Sequence, residues 1–136
     1  MNTLRFERDY SVCPERLKSI AMTIQSVARL VFTLILAKLF WDAGFAKVDW
    51  APLMVHNCQR WGYPLYFVQI IGFTEMMGAA LLLFPRTASA AATLLGTIAA
   101  GAAFNHLRFG EYSAIPIPLA MNIVCLFVVY WFRKSV

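Results

Sequence analysis

Residues 65–84, LYFVQIIGFTEMMGAALLLF, are apolar almost throughout and carry one carboxylic acid, Glu75, near their middle. A helix of this length is about 30 Å long, which is the thickness of the hydrocarbon core of a bilayer. The stretch therefore predicts a transmembrane helix. A carboxylic acid at that depth costs roughly 2.5–3.5 kcal/mol on insertion scales, so we expect Glu75 to face other helices or a wet cavity rather than lipid.

The composition indicates that the whole chain is embedded in a lipid bilayer. Of its 136 residues, 60% are hydrophobic and 14% are charged, whereas soluble domains contain about 25% charged residues. A chain of this size cannot bury so much apolar surface in water, but lipid solvates the outward faces of membrane helices. The basic residues are scattered between apolar segments, so no nucleic-acid partner is expected. Cys13, Cys58 and Cys125 form no C-x-x-C pair, which argues against a disulfide framework or a dithiol redox centre.

Three further apolar runs predict spanning helices at about residues 24–45, 88–107 and 115–132. The predicted fold class is all-α, an integral membrane antiparallel four-helix bundle over residues 20–136, preceded by a polar cytoplasmic tail at residues 1–19. Residues 53–60, in the only long connection, have the pattern of a short amphipathic surface helix. The third span carries Ala92, Gly96 and Ala100 as a ladder of small residues, which favours close helix packing inside the bundle or in a homodimer.

Charge asymmetry predicts how the bundle is oriented. Four spans put both termini on the same side, and seven Lys and Arg residues on that side face three on the other. By the positive-inside rule both termini are then cytoplasmic. The terminal side carries Arg5, Arg8, Arg16, Lys18, Arg86, Arg133 and Lys134, and the opposite side carries Lys47, Arg60 and Arg108.

Polar residues inside the spans are predicted to gather in the outer half of the bundle. Depth counted along each span places six of them there: Lys38, Asp42, Glu75, Asn105, His106 and Asn122. Such a cluster predicts a polar cavity that opens outward, with Glu75 at its floor and His106 near its mouth, able to bind a small polar ligand, relay protons or hold a quinone head group.

Structural roles are equally compatible with these residues. Lys38 and Asp42 are four residues apart and can pair within one helix. Buried polar contacts also hold membrane helices together, at roughly 0.6–2 kcal/mol each. His56 and Cys58 are two residues apart, but no further ligands support a metal site.

Several short motifs resemble those of the DoxX family, which comprises small four-helix bacterial membrane proteins. They are Arg29 early in the first span, Gly44-x-x-Lys47 at its outer end, the Gly62-Tyr63-Pro64 turn, Gly72-x-x-Glu75-x-x-Gly78 in the second span, the Arg86-Thr87 turn, and a small-residue third span that ends near His106. The resemblance covers about residues 26–132 and favours Glu75, Lys47 and His106 as the positions that matter. Relatives in that family include a membrane subunit of a thiosulfate:quinone oxidoreductase, partners in membrane redox complexes, and a distant animal group of receptor-assembly chaperones.

Three functions are compatible with these patterns. The first is a membrane subunit of a redox system, which works with a partner membrane or redox protein and contacts quinone. The second is a non-enzymatic scaffold or assembly factor. The third is a small-solute transporter, although four short helices show no inverted repeat. The sequence has no nucleophile and base at a recognisable spacing, so we do not expect autonomous catalysis.

Overall fold

The computed structural model describes residues 3–133, with side chains from residue 15 onward. In chain order its helices are α1 (Thr3–Val48), α2 (Pro52–Arg60), α3 (Leu65–Leu82), α4 (Ala88–Arg108) and α5 (Pro116–Arg133), with one 3₁₀ turn at Tyr112–Ala114. Within this described part there are no strands, and four segments are long and apolar enough to cross a membrane: Glu15–Val48, Leu65–Leu82, Ala88–Arg108 and Tyr112–Arg133. The prediction of an all-α membrane bundle is therefore confirmed.

The chain divides into two compact units, Met1–Phe32 and Thr33–Val136. The first belongs to α1, and its described apolar side chains, such as Leu17 and Ile24, are largely exposed. Because α1 begins at Thr3, the helix has no break at residue 19, where the sequence predicts the end of a polar tail. The cytoplasmic position of that tail stays a prediction. The side chains of Arg5 and Arg8, and all of Lys134, which enter the charge count, lie outside the described residues.

The core of the second unit is built from all four long helices. Its buried members are Leu36, Ala37 and Phe40 of α1, Ala79 and Leu82 of α3, Ala91, Ala92, Leu95 and Ala99 of α4, and Cys125 and Val128 of α5. Small side chains on α4 let α5 approach closely, and a Cβ added to Gly96 would lie 3.0 Å from the Cβ of Cys125. Asn122 of α5 donates from Nδ2 to the Gly96 carbonyl oxygen at 2.7 Å. Part of the predicted small-residue ladder therefore packs within the bundle.

Two glycines bring α1 and α3 into backbone contact. A Cβ built on Gly44 would lie 2.6 Å from the carbonyl oxygen of Gly72, and one built on Gly72 would lie 2.7 Å from the carbonyl oxygen of Gly44. Gly44 also faces Glu75 and Met76, whereas Gly72 faces Lys47 and Val48. On each helix, the residues that follow the glycine contact the glycine of the other helix. This is the register of two antiparallel helices.

The segment between α1 and α3 is held by the end of α2. Gly62 adopts φ 77°, a left-handed conformation that costs glycine nothing. It allows the Tyr63 amide to donate to the Cys58 carbonyl and the Gly62 amide to donate to the Gln59 carbonyl, each at 3.0 Å. This is the Schellman pattern that ends a helix. The chain therefore turns back at Tyr63 and enters α3 through Pro64.

Candidate functional site

A buried ion pair joins α1 to α3. Lys47 Nζ lies 2.6 Å from Glu75 Oε2, and Glu75 is only 4% exposed. Each partner follows one of the crossing glycines by three residues, so the close approach of Gly44 and Gly72 places the two side chains together. Lys47 also donates to the Ala43 carbonyl at 3.3 Å. An ammonium carries three N–H donors, so one remains for a further acceptor.

This ion pair lies on the wall of a cavity of about 760 Å³ within the second unit. The walls come from all four long helices and are mainly apolar, with Phe40, Phe67, Val68, Ile71, Ile98 and Met121 among the lining residues. Residues of α2 and of the connection from α4 to α5 complete the lining. A cavity of this size falls in the range of small-molecule sites, which is about 300–1,000 Å³.

A second polar group lies where α2 meets the connection from α4 to α5. Glu111 accepts from Arg60 Nη1 at 3.0 Å through Oε1 and lies 2.6 Å from His106 Nδ1 through Oε2. The Glu111 and His106 side chains are 14% and 13% exposed, so this contact is shielded from solvent. Trp61 packs edge-on against the His106 ring, with centroids 5.0 Å apart. These contacts fasten the end of α2 to the end of α4.

A shorter hydrogen-bonded chain runs along another part of the wall. Tyr63 donates from its hydroxyl to Asn105 Oδ1 at 3.2 Å, and Asn105 Nδ2 donates to the Gly101 carbonyl at 3.1 Å. The Asn105 amide has two N–H donors, and this bond uses one of them. Tyr63, Gly101 and Asn105 all line the cavity.

The thiol of Cys58 also lines the cavity, on the inner face of α2. Its Sγ lies 3.6 Å from the carbonyl oxygens of both Tyr63 and Pro64. Burial raises the pKa of the Cys58 thiol, because the thiolate would lose its hydration, and this outweighs the opposing effect of a backbone hydrogen bond from Val68. The thiol is therefore in its neutral, unreactive form.

The chemistry of the site follows from this arrangement. An apolar chamber carries a lysine–carboxylate pair at one place and a histidine, carboxylate and arginine at another. Within the described residues, no group of three or more His, Cys, Asp or Glu side chains is placed to hold a metal ion. The cavity therefore offers an apolar ligand body a few fixed donors and acceptors, which is the usual construction of a small-molecule site.

Four of the seven residues singled out from the sequence line this cavity, namely Glu75, Lys47, Asn105 and His106. Asn122 does not line it, because its amide is bound to the backbone of α4. Lys38 and Asp42 do not line it either. They pair with each other at 2.5 Å on the exposed side of α1.

The level that the structure gives to Lys38 differs from the predicted one. In the antiparallel register, Lys38 lies near the level of Gly78 on α3, and Asp42 lies near the level of Thr74. Lys38 therefore lies on the far side of Glu75 from the cavity residues of α2, not in the half of the bundle that holds His106. The lysine that meets Glu75 is Lys47.

Four further residues line the cavity but were not among the predicted site residues: Arg60, Trp61, Tyr63 and Glu111. Their positions in the sequence could have indicated them. They lie in residues 49–64 and 109–115, the two connections that four alternating spans bring to the same end of the bundle. Opposite charges in two connections at the same end are candidates for an ion pair.

Four apolar helices around a cavity of ligand size define a multi-pass α-helical membrane protein. A family model described as DoxX-like family matches residues 31–128, and the chain belongs to this family. The resemblance predicted from the glycine, lysine and glutamate motifs is thus confirmed. No curated protein and no solved structure matches the chain.

Proposed function

We propose that this protein is a membrane subunit of a quinone-linked redox system and that its cavity holds a quinone head group. The observation that carries the proposal is the cavity of about 760 Å³, whose apolar walls bear a buried lysine–glutamate pair. A quinone has an apolar ring and tail with a carbonyl oxygen at each end of the ring. Such a ligand needs apolar walls and separate hydrogen-bond donors.

The cavity supplies donors of that kind on different helices. Lys47 keeps one N–H after binding Glu75 and Ala43, and Asn105 keeps one after binding Gly101. The quinol form carries hydroxyl groups that need acceptors, and Glu75 and His106 can serve. In the tautomer that carries the hydrogen on Nδ1, His106 donates to Glu111 and its Nε2 can accept a hydrogen bond.

The proposal includes a partner and an orientation. A quinone exchanges electrons with a second redox centre, which we assign to a partner membrane or redox protein. The charge asymmetry of the sequence supports cytoplasmic termini in a bacterial inner membrane. The end of the bundle that carries α2 then faces outward, and a partner on that side reaches the cavity through the residues around Glu111.

A binding experiment tests this function. The protein is purified into lipid nanodiscs, co-extracted quinones are measured by mass spectrometry, and a short-chain quinone is titrated against tryptophan fluorescence, with Trp61→Phe identifying the cavity signal. Hydrogen bonds to charged groups contribute about 1.5–3 kcal/mol, so Lys47→Met should weaken binding roughly 10- to 100-fold. Asn122→Ala is the matched control, since it removes a polar contact between helices that does not line the cavity. Absence of quinone together with unaltered fluorescence on titration would reject the proposal.

A scaffold or assembly role is the second candidate, and the Lys47–Glu75 pair favours it because the pair also ties α1 to α3. In that case Glu75→Gln lowers thermal stability but leaves the cellular phenotype intact once protein abundance is restored. Loss of the phenotype at normal abundance would contradict a purely structural role.

A further inference from the structure

The Lys38–Asp42 pair lies on a side of α1 that no other described part of the second unit covers. The two side chains are 71% and 56% exposed, although each is charged. Their neighbours on this side are large and apolar: Ile35 is 54%, Trp41 45% and Phe45 53% exposed. The core-facing residues of α1, such as Leu36 and Phe40, lie on the opposite side of the helix. We call the side formed by Ile35, Lys38, Trp41, Asp42 and Phe45 the outer α1 face.

The level of the pair makes its exposure costly. In the antiparallel register Lys38 lies near Gly78 and Asp42 near Thr74, and α3 ends at Leu82. At 1.5 Å per residue the two charges are about 6 and 12 Å inside that end of the span. Charged residues inside the hydrocarbon are costly, and they almost always face protein or a water-filled cavity. The pairing reduces this cost, but the exposed area shows that most of each side chain would still contact lipid in a single copy.

The charge pattern of the outer α1 face indicates what covers it. The face carries one positive and one negative charge one helical turn apart. The face therefore has no net charge, and the lysine of one copy can pair with the aspartate of a second copy. If two copies are related by a two-fold axis along the membrane normal, the Lys38 of one copy lies one helical turn from the Asp42 of the other. A lysine side chain is long enough to reach across this distance. Two-fold homodimers of soluble proteins use such self-complementary contacts, in which the same surface of both copies takes part.

We propose that the outer α1 face binds the same face of a second copy of this chain, with Lys38 of each copy bridging to Asp42 of the other. Ile35, Trp41 and Phe45 pack around the four charges and shield them from lipid. This dimer does not depend on the quinone proposal, since none of these five residues lines the cavity.

Charge reversal separates this contact from pairing within one helix. Lys38→Asp gives an all-acidic face and Asp42→Lys an all-basic face, so neither variant can pair with itself. Like charges brought together repel each other, so we expect each variant alone to dimerise at least about tenfold more weakly than the parent. When the two variants are co-expressed with different tags, they should form a mixed dimer at the level of the parent.

Crosslinking in native membranes gives the position of the contact. In a background with Cys13, Cys58 and Cys125 replaced by serine, Ile35→Cys should form a disulfide-linked dimer on mild oxidation. Leu126→Cys is the matched control, because Leu126 is 61% exposed, as Ile35 is exposed, but lies on a different helix, α5. A charge-reversal variant that fails to fold would also fail to dimerise when it is co-expressed with the other variant. Recovery of the mixed dimer therefore shows that both charge-reversal variants are folded.

Three results would overturn the proposal: a parent protein that is monomeric in membranes, a dimer that both charge reversals leave unaffected, or crosslinking from position 35 to a different protein only. The first two exclude a contact through this face between copies. The third assigns the face to another membrane helix.

Discussion

Replacing Gly72 by alanine should destabilise the bundle, and the structure sets the size of the effect. The added Cβ would lie 2.7 Å from the carbonyl oxygen of Gly44 and 2.8 Å from the Cβ of Lys47. A backbone oxygen cannot rotate away, so α1 and α3 must move apart. Extra methyl groups forced into a packed core cost about 1–3 kcal/mol. The same movement lengthens the contact between Lys47 and Glu75.

Gly101→Ala provides the reference for this change. Gly101 also lies inside a helix, but a Cβ added there meets nothing within 4 Å. Both substitutions gain the same helix preference of alanine over glycine, about 0.5–1 kcal/mol. The difference between the two variants therefore isolates the steric cost, and we expect Gly72→Ala to be less stable than Gly101→Ala by about 1–3 kcal/mol.

Unfolding of each variant in mixed micelles of increasing SDS fraction, followed by circular dichroism, measures this difference. Thermal melting of the same samples checks the order of stability. Equal stability of the two alanine variants would refute the glycine contact between α1 and α3, and with it the register used to place Lys47, Lys38 and Asp42.

Three other outcomes are expected. Lys47→Met leaves the Glu75 carboxylate buried without its partner, so it should cost about 3–5 kcal/mol of stability, and the double variant Lys47→Met/Glu75→Gln should recover a large part of that loss in the same unfolding assay. Cys58 should react slowly with iodoacetamide at pH 8, since burial raises the pKa of its thiol, and the rate should increase as the pH rises and the thiolate forms. Alkylation at the rate of a free cysteine, measured with Cys58→Ala as the blank, would contradict this burial. Glu111→Gln weakens the contacts to His106 and Arg60, so amide hydrogen exchange should accelerate in α2 while α5 stays protected. Unchanged exchange in α2 would show that Glu111 does not hold that helix in place.

The spans were predictable from hydropathy because lipid requires long apolar helices with satisfied backbones. The second span was predicted at residues 65–84 and α3 is Leu65–Leu82, whereas the third was predicted at 88–107 and α4 is Ala88–Arg108. The short helix expected at residues 53–60 is α2, Pro52–Arg60, but its Cys58 is buried and its inner side lines the cavity. A periodic pattern shows that a helix has an apolar side and does not show which neighbour that side contacts.

Depth was not predictable in the same way. Counting along an apolar run assumes that the middle of the run lies at the middle of the bundle, and for α1 this placed Lys38 in the outer half of the bundle. The register is set instead by the residues that allow the closest approach, which are Gly44 and Gly72. Hydropathy does not detect that contact, because glycine contributes little to the apolar character of a segment.

The glycine motifs did contain the missing information. Gly44-x-x-Lys47 and Gly72-x-x-Glu75 have the same spacing and opposite charges. When two antiparallel helices cross at their glycines, side chains three residues further along each helix lie on opposite sides of the crossing, and both point back toward it because helical side chains tilt toward the N-terminus. A long lysine can then reach the carboxylate across the contact, as Lys47 does at 2.6 Å. The same geometry explains why Lys38, which precedes Gly44 on the opposite side of α1, does not reach Glu75 and pairs with Asp42 instead.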